Sequence, residues 1–162
     1  MNQRIEIRQA NFCEAADRQA LQRLMQEYAS DPMGGGHPLP ESVIEALPDK
    51  LLHYPGAFSV IAWSDDRPVG LINCFETLST FKAKPLVNIH DVVVSADYRG
   101  LGIAYQMLEC VERIAKERDC CKLTLEVLQG NERARQVYLA FGFAGYELDK
   151  FYGQASFWEK SL

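Results

Sequence analysis

The sequence predicts a mixed α/β domain, a sheet of about seven strands with helices on both faces. Three observations carry that prediction. Segments with the two-residue alternation of strands and segments with helical spacing follow one another as β, α, α, β, β, β, α, β, α, β, β, neither a strict βα alternation nor an all-β series. No internal repeat or low-complexity linker divides the 162 residues, a length that suits one domain, 1–162, around a single core. Hydrophobic residues make up 48% and charged residues 24%, the balance of a globular chain rather than of a disordered one.

Each element has its own signal. Ile5 and Ile7 alternate with polar neighbours between Arg4 and Arg8, as in a strand. From Ala15 to Ala29, Ala16, Ala20, Leu21, Leu24, Met25 and Tyr28 share one helical face. Asp31 to Pro38 carries three glycines and two prolines, so helix stops there and a mobile loop is expected. A short helix follows from Glu41 to Leu52, with Pro48 expected to interrupt it. Phe58–Trp63 and Val69–Thr77 flank the turn-rich Ser64-Asp65-Asp66-Arg67-Pro68, a β-hairpin signal. A loop with Lys82, Lys84 and Pro85 leads into the β-rich run Leu86–Val94. Leu101 to Arg118 shows the clearest helical period, with Leu101, Ala104, Leu108, Val111 and Ala115 in phase. Lys122–Leu128 alternates as a strand, Asn131–Phe141 reads as a helix ended by Gly142, and Phe143–Leu148 and Ala155–Lys160 read as two closing strands.

Composition narrows the function. A net charge of -5 counts against nonspecific binding to nucleic acid or to an anionic membrane. No apolar run approaches the roughly 20 residues that span a bilayer. The first residues show neither an apolar signal core nor an Arg/Ser-rich transit pattern, so a cytoplasmic location is expected. Cys13, Cys74, Cys110, Cys120 and Cys121 are odd in number and form no CxxC, which reads as reduced core thiols. His37, His53 and His90 are scattered without HExxH or paired Cys/His spacing, so no metal is expected.

The chemistry concentrates at one strand-to-helix junction, Val92-Val93-Val94-Ser95-Ala96-Asp97-Tyr98-Arg99-Gly100-Leu101-Gly102-Ile103-Ala104. Two glycines one residue apart let a ligand approach the backbone, and a helix N-terminus favours an anion such as phosphate. Arg99 adds a cation with a fork of donors. A P-loop needs Gly-Lys-Ser/Thr, which is absent, and a dinucleotide fingerprint needs a third glycine where Tyr105 stands. A pyrophosphate cradle of another kind remains, beside a purely structural turn.

Arg99-Gly100-Leu101-Gly102-Ile103-Ala104 resembles the acetyl-CoA-binding motif Q/R-x-x-G-x-G/A of the GCN5-related N-acetyltransferases (GNAT). A second motif of that family, N-x-x-A-x-x-x-Y-x-x-x-G-F, is matched by Asn131, Ala134, Tyr138, Gly142 and Phe143. Together the two cover about residues 86 to 143, in order and at the expected spacing.

The resemblance implies a central mixed, mostly antiparallel sheet and direct transfer of an acetyl group from acetyl-CoA to a primary amine. It implies that the strand Val92-Val93-Val94 lends its backbone to the pantetheine arm. It gives the amides of Arg99, Gly100, Leu101, Gly102, Ile103 and Ala104 to the pyrophosphate, and Asn131 to the cofactor as well. It sets Tyr138 near the sulfur as the proton donor to the departing thiolate. The amine needs a base, since a lysine-like amine with a pKa near ~10.4 is mostly cationic at neutral pH. Ile89-His90-Asp91-Val92-Val93-Val94 is similar to the frame Leu-Glu-Asp-aromatic-aromatic-Val of diamine and polyamine acetyltransferases, so Asp91 and His90 are the candidates. Each also has a plain reading: His90 as a hydrogen-bonded strand histidine, Asp91 as a fold-supporting acid, Tyr138 as a core aromatic. Glu76 and Glu126 are weaker candidates for holding an ammonium, and the Gly34-Gly35-Gly36-His37 loop for a wall of the acceptor pocket. Phe157 and Trp158 read as core or as a homodimer contact. The expected partner is a small amine such as a diamine or amino acid. The alternatives are a protein or peptide acceptor, or a non-catalytic acyl-CoA-binding module.

Overall fold

A computed structural model describes residues 4–147, 151 and 153–162. The chain forms two compact units, Met1–Leu125 and Glu126–Leu162.

The first unit is a five-stranded sheet flanked by helices. Its elements are β1 (Ile5–Gln9), α1 (Ala15–Ser30), a 3-10 turn (Pro32–Gly34), α2 (Glu41–His53), β2 (Ala57–Ser64), β3 (Arg67–Ser79), β4 (Lys84–Val94), a second 3-10 turn (Ala96–Tyr98), α3 (Ile103–Glu117) and β5 (Leu123–Leu125). The strands lie in sequence order. β1 to β4 pair antiparallel and β4–β5 pair parallel, because α3 carries the chain back across the sheet between them.

Alternation along the strands sorts the core between the two faces. Ile61, Leu71 and Val93 pack with Ala20, Leu21, Leu24 and Met25 of α1 and with Leu51 of α2. The neighbouring positions turn to the other face and meet α3, whose Ile103, Met107, Leu108 and Val111 are buried. There Met107 lies over Gly70 so closely that a Cβ on Gly70 would stand 2.9 Å from the Met107 methyl, and any larger residue there would make the Met107 side chain move.

Two local expectations change. α2 runs through Pro48 without a break. Proline removes the donor that the Ile44 carbonyl would otherwise receive, and Gln22 of α1 supplies it through Nε2 at 3.2 Å. The segment after α1 is a hydrogen-bonded turn rather than an unstructured loop. Asp31 accepts from the Met33 amide, and the Asp31 and Ala29 carbonyls take the amides of Gly34, Gly36 and His37.

The second unit holds α4 (Glu132–Phe141), which starts at an Asn131 cap and stops at Gly142 with φ 108°. The two closing strands do not form among the described residues. Residues 143–147 and 153–162 contain a single antiparallel bridge, Glu147 to Gln154, and Leu148 lies outside the described residues. Gly145 and Gly153 weaken extended pairing there, and a lone two-stranded ribbon is marginal. The sheet of the first unit therefore has five strands where about seven were expected, and the strand expected over 122–128 shortens to Leu123–Leu125. Phe157 and Trp158 are 71% and 88% exposed, so neither is core. Of the thiols, Cys74 and Cys110 are buried and Cys13 is exposed.

Candidate functional site

The site is organised by one irregularity in β4. Asn73 pairs with Asp91 and Cys74 with Ile89, so His90 is an extra residue in β4 with no partner in β3. A bulge of this kind reverses the alternation beyond it. Before the bulge, the Val87 amide points to β5, where it donates to the Lys122 carbonyl at 3.1 Å. After it, the Ser95 amide donates to Val69 of β3 at 2.9 Å, so by alternation Val93 also faces β3 while Val92 and Val94 face the opposite edge. On that edge β5 ends opposite Ile89. Within the first unit, β4 from His90 to Val94 thus presents the amides of Val92 and Val94 to an edge that β5 has left.

β4 leads into the glycine turn. Gly100 and Gly102 have φ of 82° and 75°, and Gly102 is the N-cap of α3. A Cβ on Gly100 would meet nothing within 4 Å, so its conformation, not crowding, calls for glycine. The first helical bond runs from the Gln106 amide to the Gly102 carbonyl, which leaves the Ile103 and Ala104 amides ahead of the helical ladder at its positive end. Gly100, Leu101 and Gly102 are exposed, Ala104 is half-buried and Ile103 packs inward. Arg99 does something the motif does not announce. Its Nε donates to the Val94 carbonyl at 2.9 Å and its Nη2 to Asp31 at 2.8 Å. Nearby, Ser95 donates to Glu27 at 2.8 Å. The end of α1 therefore braces the turn, with Arg99 as its main strut.

The bulge also decides the chemistry of the sheet face. Two consecutive residues of a regular strand point to opposite faces, but His90 and Asp91 lie on the same one. Asp91 accepts from Asn73 Nδ2 at 3.0 Å, and Asn73 in turn accepts from Ser59 at 2.6 Å. His90 stands edge-on to Phe75, ring centroids 5.4 Å apart. Burial, then the Asp91 and Asp31 carboxylates, push the Tyr28 phenol above its ordinary pKa, which places Tyr28 in the same electrostatic neighbourhood. Beside His90 an open cleft of about 470 Å³ lies between α2 and the sheet, lined by Leu47, Lys50, Tyr54, Phe75, Asn88 and His90 among others.

A profile of the acetyltransferase (GNAT) family matches residues 20–143, most of the chain. The chain belongs to the acetyltransferase (GNAT) family. Its sequence is similar to a thialysine N-epsilon-acetyltransferase of Bos taurus, 36% identical over 64 residues. That match takes in 40% of this chain and only 37% of the relative's length. Among solved structures it resembles a ribosomal-protein-alanine N-acetyltransferase from Brucella melitensis biovar Abortus, with a TM-score of 0.73, 20% identity, and 98% and 100% of the two chains covered. It also resembles an aminoglycoside N-acetyltransferase solved with CoA, with a TM-score of 0.77, 20% identity, and 98% and 96% covered. At such identities the likeness is one of fold, and the fold is that of an N-acetyltransferase.

The second family motif lies on the second unit. Asn131 caps α4, its side-chain oxygen accepting from the Ala134 amide at 3.2 Å. Tyr138 is buried and meets Phe143 edge to face at 5.9 Å. The motif's Tyr and Phe thus fold back on each other across the Gly142 turn. Of the weaker candidates, Glu76 is taken by Arg118 at 3.2 Å, and Glu126 is exposed. Sequence reasoning missed Asn73, Ser59, Tyr28, Glu27 and Asp31. They come from α1, β2, β3 and the turn after α1, and only a buried polar residue in an otherwise apolar strand, Asn73 within Leu71-Ile72-Asn73-Cys74, carried a signal.

Proposed function

We propose that this chain transfers the acetyl group of acetyl-CoA to a small primary amine, a diamine or an amino acid. The observation that carries the reading is the open upper half of β4, which turns the Val92 and Val94 amides outward and runs straight into the Gly100–Gly102 turn. An extended pantetheine arm fits the edge as an added strand, and a pyrophosphate fits the amides of Gly100 to Ala104 at the α3 N-terminus. The CoA in the structurally similar aminoglycoside enzyme and the name of the bovine relative support the donor and the acceptor class.

The chemistry follows from residues of this chain. Asp91 or His90, directly or through water, takes a proton from the incoming ammonium, a step that costs the free amine about 4–5 kcal/mol at neutral pH. The neutral nitrogen attacks the thioester carbonyl, and a backbone amide near Val92 steadies the oxyanion. The C–S bond then breaks, Tyr138 protonates the thiolate, and the second proton of the former ammonium leaves through water and restores the Tyr138 phenol, giving CoA and the amide. No step in this sequence calls on a metal. The family profile runs across both compact units, from residue 20 to 143, and on that ground we treat residues 1–162 as one catalytic domain. We place that domain in the cytoplasm, acting on a dissolved amine without nucleic acid or membrane, and assign the exposed Phe157 and Trp158 to a homodimer contact.

The test is thiol release from acetyl-CoA over a panel of diamines, amino acids, aminoglycosides and peptides. Turnover is expected with small amines. Gly102→Glu should abolish thermal stabilisation by CoA in a folded protein, and Asp91→Asn should lower turnover most at low pH with CoA affinity kept. Turnover with peptides alone, or CoA binding that survives Gly102→Glu, overturns the reading.

A further inference from the structure

We propose that Lys50 selects acceptors that carry a carboxylate beyond their reacting amine, so that the natural acceptor is an amino acid-like amine rather than a diamine. This rests on the acetyl-transfer reading above and names the acceptor class for that site. The cleft beside His90 has an asymmetric charge. The residues that line it are apolar or neutral apart from Lys50 and His90, and no Asp or Glu is among them. Lys50 lies on the exposed side of α2, and among the described residues no carboxylate lies within ion-pairing distance of its ammonium. Its sequence neighbour Asp49, the obvious local partner, is already held by Arg18 at 2.8 Å. His53, one turn on, is committed through Nδ1 to the Asp49 carbonyl at 2.8 Å.

Across the cleft from α2 stand Phe75, Asn88 and His90 of β3 and β4, and the bulge adds Asp91 to the same face. An acceptor lying in this cleft therefore has an imidazole at the strand end, with the Asp91 carboxylate next to it on the same sheet face but outside the lining, an aromatic and aliphatic wall along its length, and one ammonium at the helix end. An amine whose far end is a carboxylate satisfies that order: its nitrogen meets Asp91 and His90, its methylenes lie along Phe75 and Leu47, and its carboxylate accepts from Lys50. A diamine of the same length places its second ammonium against Lys50 with no carboxylate in the lining to offset the repulsion. The acidic net charge of the chain does not reverse this, because at the ionic strength of a cell charges beyond about 8 Å are screened while Lys50 acts at contact.

Three amines of one length separate the cases: 6-aminohexanoate, hexylamine and 1,6-diaminohexane. Their kcat/KM values, measured by thiol release at saturating acetyl-CoA, are compared in wild type, Lys50→Met and Lys50→Glu. Lys50→Met keeps the apolar stem and removes only the charge, and both variants alter an exposed helix position that the fold tolerates. The wild type should prefer 6-aminohexanoate over hexylamine by roughly 5–30-fold, mostly in KM. Lys50→Met should bring these two together, and Lys50→Glu should favour the diamine. A wild type that prefers the diamine, or a ratio that Lys50→Glu leaves unchanged, overturns the assignment. Absence of thiol release with all three overturns the small-amine reading instead. Calorimetry of 6-acetamidohexanoate on the CoA-saturated protein then decides the Lys50 assignment: binding weakened in Lys50→Glu upholds it, and binding absent or unchanged rejects it.

Discussion

The two halves of β4 belong to one strand and have opposite duties. From Lys84 to Ile89 the strand is paired with β3, and from Val87 to Ile89 with β5 as well, and Leu86, Val87 and Ile89 are buried. From His90 to Val94 it keeps β3 and loses β5. The lower half is ordinary sheet interior. The upper half has the same β-rich composition, but within the first unit its Val92 and Val94 amides face the edge that β5 has left, and a single extra residue, His90, determines which amides those are. The proposed function uses a strand that stays locked on one side while it is released on the other.

Substitutions test this contrast. The largest effect is expected away from the strand. Tyr138→Phe keeps the ring that packs on Phe143 and deletes the proton, so turnover should fall by roughly 10²–10⁴-fold while CoA affinity stays. Steady-state thiol release reads this, and a loss below twofold in a folded protein with intact CoA affinity would reject Tyr138 as the acid and leave it a packing residue.

The next test compares neighbours in the upper half. Val92→Pro removes an amide that faces the open edge, whereas Val93→Pro removes one from the β3 ladder. In wild type, CoA at a hundredfold over its Kd should stabilise the fold by about 2.7 kcal/mol. Val92→Pro should lose most of that stabilisation and retain more of its ligand-free stability than Val93→Pro, as denaturant titrations with and without CoA would register. Equal damage from the two would mean that the alternation beyond His90 has been misassigned.

The lower half predicts the reverse pattern. Val87 is fully buried and lies opposite residues of both neighbouring strands, so Val87→Ala should cost about 2 kcal/mol of stability and leave Kd for CoA unchanged. A changed Kd with unaltered stability would erase the distinction between the halves.

The smallest effect is a control remote from both halves. Asp17 is fully buried, bonded twice to Arg8 at 2.6 Å and once to the Asn11 amide at 2.7 Å. Burial opposes its ionised form, and the Arg8 and Asn11 bonds outweigh burial, so its folded pKa lies below the usual aspartate value. A depressed folded pKa gives stability that is present above the unfolded value, ~3.9, and is lost as pH falls through the folded one. Asp17→Asn should therefore cost about 1–2 kcal/mol at pH 7, shrinking toward zero in strong acid, with turnover per folded molecule unchanged. A cost independent of pH would assign the stabilisation to packing rather than to the ion pair.

Much of the fold was legible because its signals are local. The period of Leu101 to Arg118 found α3, the apolar runs Phe58–Trp63 and Val69–Thr77 found the β2–β3 hairpin, and Gly142 marked the stop of α4. The misreadings were of another kind. Pro48 looked like a break because the donor that replaces its missing amide belongs to Gln22, 26 positions earlier. The glycine-rich turn looked mobile because its anchors, the Ala29 and Asp31 carbonyls, become acceptors only in the folded geometry. The closing strands looked plausible because alternation within a segment says nothing about whether a partner strand is present.

The same division holds for the site. Local order was enough for the residue types at the β4–α3 junction, the two glycines that take positive φ without steric cost, and the spacing from Arg99 to Tyr138, because these are properties of neighbouring positions along one chain. Only the tertiary structure decided that His90 is the bulged residue, that His90 and Asp91 share a face, that Arg99 braces the turn through Asp31, and that Lys50 stands across a cleft from His90. Each of these depends on which residue of another element lies opposite. That register is set by the packing of α1, α2 and α3 against the two faces of the sheet, where moving a strand by one residue would send every side chain beyond it to the other side.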